Sequence, residues 1–292
     1  MLNGVITMHV ASEIVTPKLD CVRLEYHGDT ISIPYFYRAG RGPGILFIHG
    51  LGGAKENFYA AFQSAALQDC ALLAFDNPGT GLAAWDATRF PNVSALAEIT
   101  ALVSQRLMPK RHFICAASMG GLIALLNFRR HGTAMLEGFI NIEGNLCPED
   151  CIFSRRTASH GAEAFTSSVF PEMISELLGS SWTGDRMIAH NMAMNTDPRA
   201  YHAFSHEAVR ESDSGRLIEE FLALKIPRLF LYGEANRSLS YLERLRASEV
   251  EVAEVPRGAH FLFYDNPVET FSFVGDFVHR NHSSTVVRES PQ

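Results

Sequence analysis

The sequence lacks a long apolar run, since none approaches the roughly 20 consecutive residues that a membrane-spanning helix needs. Its start, MLNGVITMHV, lacks the basic flank, sustained apolar stretch and cleavage site of a signal peptide. It also has no excess of basic residues. There are 25 Lys and Arg residues and 32 Asp and Glu residues, which gives a formal net charge of -7. We therefore expect no membrane insertion, no nucleic acid partner and a cytoplasmic location.

Cysteine is scarce, with 5 among 292 residues, and an odd number of cysteines requires no disulfide framework. Cys147 and Cys151 lie four positions apart without a nearby histidine or second cysteine pair, so we expect no metal site there. No motif in the sequence requires a cofactor. The composition, 47% hydrophobic and 20% charged, is that of an ordinary globular protein.

Short β-rich runs alternate with longer helical patterns along much of the chain, which is typical of an α/β fold with a central, mostly parallel sheet flanked by helices. The predicted strands cover residues 21–26, 31–37, 44–48, 71–75, 112–116, 138–142, 227–232 and 250–255. The predicted helices of the first half cover residues 57–67, 93–107 and 119–129. The first two strands are separated by a short turn and are predicted to form an antiparallel hairpin.

The strand pattern stops between residues 145 and 224, where the chain becomes helix-like and rich in aromatic residues. This segment is predicted to be a helical cap inserted into a core formed by residues 1–144 and 225–292. Neither end of it carries a flexible Gly/Ser linker, so we expect the cap to pack on the core.

A strand end runs directly into a helix start at Cys-Ala-Ala-Ser-Met-Gly-Gly, residues 115–121, which is the pattern of a nucleophile elbow around Ser118. Residues two before and two after such a serine must be small, and Ala116 and Gly120 meet that requirement. The free N–H groups at the helix start favour a negative charge that develops beside the serine, so Met119 is one predicted oxyanion donor. The Gly-rich turn at residues 49–53 offers a second backbone donor, which we predict to be Leu51.

With these motifs the chain resembles an α/β-hydrolase, and the resemblance runs over residues 44–277. The loop Asp-Asn-Pro-Gly-Thr-Gly at residues 76–81 resembles the family's loop of aspartate, proline and spaced glycines. The segment Pro-Arg-Gly-Ala-His-Phe at residues 256–261 resembles its histidine loop, which implies that His260 is the base for Ser118. In this family the side chain at His49 usually supports the oxyanion turn.

The acid that orients the histidine is less obvious, because Asn236 stands where the family most often has an aspartate. An amide can orient a histidine but cannot stabilise its cation. Glu143 directly follows the predicted strand at residues 138–142. It therefore lies at the carboxyl ends of the parallel strands, where ligands bind in such folds. Some family members, including a branch of haloalkane dehalogenases, carry the acid there, so we predict Glu143 as the acid, with Glu234 as the alternative.

A serine at the elbow differs from the aspartate of the dehalogenase and epoxide-hydrolase branches, and it predicts acyl chemistry on a small-molecule acyl substrate. A carboxylesterase, thioesterase or lactonase is the leading hypothesis. A carbon-carbon bond hydrolase, an acyltransferase and a ligand-binding sensor with little turnover remain open, and the sequence indicates no oligomeric state. The cap aromatics Phe165, Phe170 and Trp182 are candidates either for an apolar pocket or for core packing. Four cap arginines are candidate anion ligands or solvated surface residues: Arg155, Arg156, Arg186 and Arg210.

Overall fold

An eight-stranded sheet forms the centre of the protein, whose computed structural model describes residues 16–282. The strands are β1 Lys18–Tyr26, β2 Asp29–Arg38, β3 Gly44–Ile48, β4 Ala71–Phe75, β5 His112–Ala117, β6 Leu136–Ile142, β7 Arg228–Gly233 and β8 Glu251–Val255. They lie side by side in the order β1-β2-β4-β3-β5-β6-β7-β8. β1 and β2 form an antiparallel hairpin and β2 pairs antiparallel with β4, whereas every other pair is parallel. The predicted mostly parallel sheet is confirmed.

Helices cover both faces of this sheet. They are α1 Tyr59–Gln63, α2 Val93–Leu107, α3 Met119–His131, α4 Ile152–Ala158, α5 Ala162–Ala164, α6 Phe170–Leu178, α7 Thr183–Asn195, α8 Pro198–Asp213, α9 Arg216–Ala223, α10 Leu242–Arg246, α11 Leu262–Asp265 and α12 Pro267–Asn281. Single 3-10 turns occur at Lys55–Phe58, Ala65–Leu67, Pro148–Asp150 and Glu234–Asn236, and a π-helical turn at Phe165–Val169. No helix within residues 16–282 is long and apolar enough to cross a membrane.

The core has two parts, one on each face of the sheet, because successive side chains of a strand point in opposite directions. On β3, Ile45 and Phe47 join the apolar cluster that contains residues of α1, α11 and α12. Leu46 and Ile48 join the cluster on the other face, with residues of α2, α3 and α9. All four side chains are fully buried. Strands buried on both faces give continuous apolar runs, which explains why β3 shows no polar alternation.

One predicted helix, at residues 57–67, is wrong in its length, because the chain forms three short turns there instead. The break falls at Ser64, whose backbone is extended. The guanidinium of Arg38 donates hydrogen bonds to the carbonyl oxygens of Phe62, at 2.6 Å, and of Leu67. The carbonyl group of Phe62, which a continuous helix would use internally, is therefore bound by a buried side chain from β2.

The segment predicted as a cap contains α4 to α9 and supplies no strand to the sheet, and the structure describes all of it. It contacts the rest of the fold through polar groups as well as apolar ones. Asn191 donates to the carbonyl oxygen of Gly52 at 2.6 Å, and Glu207 accepts from the backbone and hydroxyl groups of Ser94 at 2.8 and 3.0 Å. The division into core and cap stays a prediction, and its residues 1–15 and 283–292 lie outside the described part.

Candidate active site

Ser118 lies on the sharp turn between the last residue of β5 and the first residue of α3. Its backbone angles, φ 53° and ψ -128°, fall in a region that costs a non-glycine residue about 1–3 kcal/mol. Neighbouring backbones come very close: a Cβ atom on Gly120 would lie 2.3 Å from the carbonyl oxygen of Ile48. One on Gly50 would lie 2.7 Å from the Cβ of Ser118. The small residues around the serine are therefore required by the close packing of the elbow.

A chain of hydrogen bonds joins Ser118 to His260 and then to Glu143. The Oγ of Ser118 lies 3.0 Å from Nε2 of His260, which the loop between β8 and α11 carries. The other ring nitrogen, Nδ1, lies 2.9 Å from Oε2 of Glu143. The structure thus brings together three residues that are far apart in sequence and that come from three different connections of the sheet.

Glu143 is the first residue after β6, and its φ of 43° is again positive. Its side chain, in a residue that is only 4% exposed, accepts three hydrogen bonds. Oε1 accepts from the backbone N–H of Gly233 at 2.7 Å, and Oε2 accepts from Nδ2 of Asn236 at 2.7 Å in addition to the bond with His260. A carboxylate suits this position because each of its partners presents a hydrogen.

The amide of Asn236, which is the departure from the family pattern, therefore holds the carboxylate of Glu143 in place. The alternative acid, Glu234, has different partners: it accepts from the backbone N–H of Arg257 at 2.9 Å and lies 3.7 Å from the guanidinium of Arg237. Its side chain is 43% exposed. The structure gives Glu234 a place at the surface and gives Glu143 the contact with His260.

Two opposing effects act on the pKa of His260. Burial lowers it, whereas the hydrogen bond and charge of Glu143, helped by Asp150 and Asp185, raise it, and the pKa ends above its ordinary value of 6.5. The imidazole side chain keeps 24% exposure. A histidine with a raised pKa is a stronger base toward the serine hydroxyl once it is neutral.

The backbone N–H groups of Leu51 and Met119 are the predicted oxyanion donors. Both residues line the cavity in front of Ser118, and neither N–H donates a hydrogen bond to another group of residues 16–282. His49 supports the turn that carries Leu51: its Nε2 accepts from the backbone N–H of Asn77 at 3.0 Å, and its Nδ1 lies 2.9 Å from the carbonyl oxygen of Gly50. Burial lowers the pKa of His49, so this ring is neutral.

A buried ion pair anchors the same turn from the other side. Lys55, only 1% exposed, places its Nζ 2.8 Å from Oδ2 of the fully buried Asp76. Asp76 also accepts from the backbone N–H groups of Lys55 and Leu82, each at 2.9 Å. The loop at residues 76–81 thus fixes the segment that leads away from the oxyanion turn.

The cavity beside Ser118 is small, with a volume of about 20 Å³, which is room for one water molecule. Most of its lining is apolar, and part of the lining comes from the predicted cap. The lining residues include Leu51, Ser118, Met119, Asp150, Phe153, Ser154, Leu177, Ile188, Met192, Tyr201 and Phe261. The structure therefore leaves little space beside the serine for an acyl group.

The aromatic residues of this cavity differ from the predicted ones. Phe165 and Phe170 pack against the ring of Tyr201, at 5.7 and 5.4 Å between centroids, and belong to the apolar core. Trp182 is absent from the cavity lining within the described residues. Phe153, Tyr201 and Phe261 line it instead. No local signal in a helical segment distinguishes one aromatic residue from another.

Asp150 is another cavity residue that was not predicted from the sequence. Its carboxyl group borders the cavity and accepts from two backbone N–H groups and from the hydroxyl of Tyr241 at 2.8 Å. Burial nevertheless raises the pKa of Asp150 to about 6. This cavity thus has a polar wall that carries a carboxyl group.

The candidate anion ligands of the cap already have protein partners. Three of them form ion pairs: Arg155 with Asp213, Arg156 with Glu172 and Glu176, and Arg210 with Glu207. Arg186 donates to the carbonyl oxygen of Ser180 at 2.7 Å. None of the four lines the cavity among the described residues, so a solvated structural role suits them better than substrate binding.

One group of three potential metal ligands occurs within residues 16–282, namely Asp69, Cys70 and His279. It lies before β4, whereas Ser118 lies after β5, so the two are at opposite ends of the parallel strands. Burial raises the pKa of the Cys70 thiol to about 12, which opposes the thiolate that metal ligation needs. This group has no contact with the site at Ser118.

A sequence profile of the Alpha/beta hydrolase family matches residues 45–272, and the chain belongs to that family. No functionally curated sequence matches it. Among solved structures, a thermophilic esterase from Thermogutta terrifontis has a TM-score of 0.72 at 18% identity, over 90% of this chain and 100% of that chain.

Two lactonases are also similar in fold. The N-acyl homoserine lactonase AidH has a TM-score of 0.70 at 15% identity, over 91% of this chain and 98% of its own. The enol-lactonase from Burkholderia xenovorans LB400 has a TM-score of 0.69 at 20% identity, over 88% and 100%. At such identities the likeness supports the fold, which the sequence analysis predicted and which is confirmed.

Proposed function

We propose that this protein is a serine hydrolase that cleaves a carboxylic ester, or a thioester or lactone, through an acyl-enzyme. The observation that carries the proposal is the hydrogen-bond chain from Ser118 through His260 to Glu143, set before a cavity with two free backbone N–H groups. A hydroxyl, a base and an oriented carboxylate in this geometry are the parts that nucleophilic acyl transfer requires.

In the proposed reaction, Nε2 of His260 takes the proton of the Ser118 hydroxyl while Oγ attacks the acyl carbon. The oxyanion that forms accepts hydrogen bonds from the N–H groups of Leu51 and Met119. Glu143 stabilises the imidazolium, which then gives its proton to the leaving oxygen or sulfur as that bond breaks. Water, deprotonated by the same histidine, attacks the acyl-enzyme and releases the acid and the free serine.

We infer a small-molecule substrate because the nucleophile lies in a narrow, mostly apolar cavity rather than on an open surface. Residues 145–224 supply much of the cavity lining, and we treat them as a cap over the nucleophile that shifts when an acyl group binds, since the cavity has room for about one water molecule. Similar solved structures include an esterase and an N-acyl homoserine lactonase complexed with N-hexanoyl homoserine. The apolar lining favours an acyl group that is at least partly apolar.

A fluorophosphonate probe tests the proposal directly. We expect rapid labelling of the intact protein at a single position, identified as Ser118 by peptide mass spectrometry, together with turnover of p-nitrophenyl esters. Ser118→Ala should lose both. Absence of labelling and of turnover in the unaltered protein would refute the proposal and favour a ligand-binding sensor, the class that keeps a triad without using it.

A further inference from the structure

Tyr201 is a buried tyrosine at the cavity of the proposed nucleophile. It lies on α8, is 3% exposed and lines the same cavity as Ser118, Leu51 and Met119. Its hydroxyl has no hydrogen-bond partner among residues 16–282. Within residues 16–282 the unpaired polar side-chain atoms that are fully enclosed belong to other residues, so the phenol oxygen of Tyr201 borders open space. Tyr201 lines two cavities, that of Ser118 and a smaller one beside Gly52 and Thr80.

The ring of Tyr201 is held rigidly, which makes its hydroxyl a preorganised donor. Phe165 stacks on it at 5.7 Å between centroids and Phe170 packs edge-on at 5.4 Å. Its Cε2 edge, next to the phenol oxygen, lies 3.2 Å from the point where a Cβ on Gly52 would stand. The hydroxyl end of the ring therefore borders the turn that carries Leu51.

An unpaired hydroxyl in a buried position costs free energy, and a bound ligand with an acceptor oxygen removes that cost. Burial also raises the pKa of Tyr201, with no charged partner contributing, so the phenol stays a neutral donor at ordinary assay pH. The scissile carbonyl already has two backbone donors in Leu51 and Met119. A third donor beside them suits a second oxygen on the substrate.

The position of the ring indicates which part of the substrate carries that oxygen. The leaving group receives its proton from His260 and so departs on the side of the cavity that His260 occupies. The Cγ of Met192, which lines the cavity of Ser118, lies 2.8 Å from the point where a Cβ on Gly52 would stand, so Tyr201 and Met192 meet at this turn. Within residues 16–282 the ring of Tyr201 makes no aromatic contact with His260. The acyl group is the part that stays on this side after the leaving group departs.

We infer that the Tyr201 hydroxyl donates a hydrogen bond to a second acceptor oxygen on the acyl group, so that the substrates are oxygen-bearing acyl compounds such as keto acyl esters rather than plain alkanoyl esters. This inference rests on the proposed function. It assigns Tyr201 a role in substrate recognition that Phe at this position would lack.

The test compares two pairs of p-nitrophenyl esters of matched shape: 3-oxobutanoate with 3-methylbutanoate, and 4-oxopentanoate with 4-methylpentanoate. In each pair a methyl group replaces the keto oxygen. We expect Tyr201→Phe to lower the ratio of keto to methyl kcat/KM by roughly 5-fold or more in at least one pair. Its melting temperature should stay the same or rise, because the variant removes a hydroxyl that is unpaired in the free protein.

Tyr232→Phe is the matched control, since Tyr232 is also 3% exposed but bonds Glu254 and Arg246 outside the cavity. It should leave both ratios unchanged. An equal loss on keto and methyl esters, or no loss in either pair, would overturn the inference while wild-type turnover upholds the proposed function. No turnover of any ester by the unaltered protein would overturn both.

Discussion

Replacing Glu143 by glutamine tests the proposed acid while it changes the shape of the side chain very little. The three groups that contact the carboxylate, which belong to Gly233, Asn236 and His260, all lie at 2.7 to 2.9 Å. Glutamine has one acceptor oxygen and one NH₂ group, so at least one of these contacts becomes donor against donor. The side chain cannot turn to a position that satisfies all three partners.

Both orientations of the amide weaken the base. If the NH₂ group faces His260, Nδ1 must accept, and the ring proton moves to Nε2, where it blocks proton transfer from Ser118. If the amide oxygen faces His260, the tautomer is right, but the negative charge that stabilises the imidazolium is gone. A comparable neutral replacement in a serine protease costs on the order of 10⁴-fold in kcat. That factor corresponds to about 5 kcal/mol of transition-state stabilisation.

The assay is kcat for a p-nitrophenyl ester, with urea unfolding to show that the variant is folded. Glu234→Gln is the matched control, because Glu234 lies in the neighbouring turn and contacts Arg257 rather than His260. We expect a loss of roughly 10⁴-fold for Glu143→Gln and less than about threefold for Glu234→Gln. A folded Glu143→Gln variant within about tenfold of the wild type, or a larger loss at Glu234, would refute the assignment.

Three further predictions concern the base, the acid position and the buried ion pair. Because the pKa of His260 is raised and only the neutral ring acts as a base, kcat/KM should fall as the pH decreases through a midpoint above 6.5, and this midpoint should move down in Glu143→Gln. A pH profile with its acidic midpoint below 6.5 in the wild type would contradict this. Adding Asn236→Asp to the Glu143→Gln variant should restore part of its kcat, since the Nδ2 atom of Asn236 lies 2.7 Å from the carboxylate oxygen that contacts His260. A folded double variant without any recovery of kcat would contradict this prediction. Lys55→Met should lower the free energy of unfolding by about 3–5 kcal/mol in urea titrations, because Asp76 keeps a buried charge without a cation, and a loss below about 1 kcal/mol would show that the pair contributes little.

The fold was largely predictable because its signals are local. Apolar runs that end in Gly-rich turns mark the parallel strands, and small residues around Ser118 mark the elbow. The helix predicted at residues 57–67 was wrong because its break depends on Arg38, a residue from β2 that binds its carbonyl oxygens. Such long-range contacts leave no trace in a periodic pattern.

The candidate site shows the same division between local and distant effects. The asparagine at position 236, where the family usually has an aspartate, led to the prediction of Glu143 as the acid. In the structure the carboxylate of Glu143 contacts His260. The donor role of Asn236 toward the acid was not predictable, since it depends on the approach of two loops. Tyr201 and Asp150 were also missed, because helical segments of similar composition do not reveal which side chains turn toward a cavity.

Ser118 and Glu143 follow neighbouring strands, and the backbone N–H of Ser118 donates to the carbonyl oxygen of Ile142, the residue before Glu143, at 3.1 Å. The parallel pairing of β5 with β6 inside the sheet therefore sets the distance between these two residues. His260, in contrast, lies in the loop between β8 and α11. Substitutions in that one loop, in nature or in laboratory evolution, can therefore change the position of the base. The nucleophile and the acid keep their relative positions as long as the sheet stays intact.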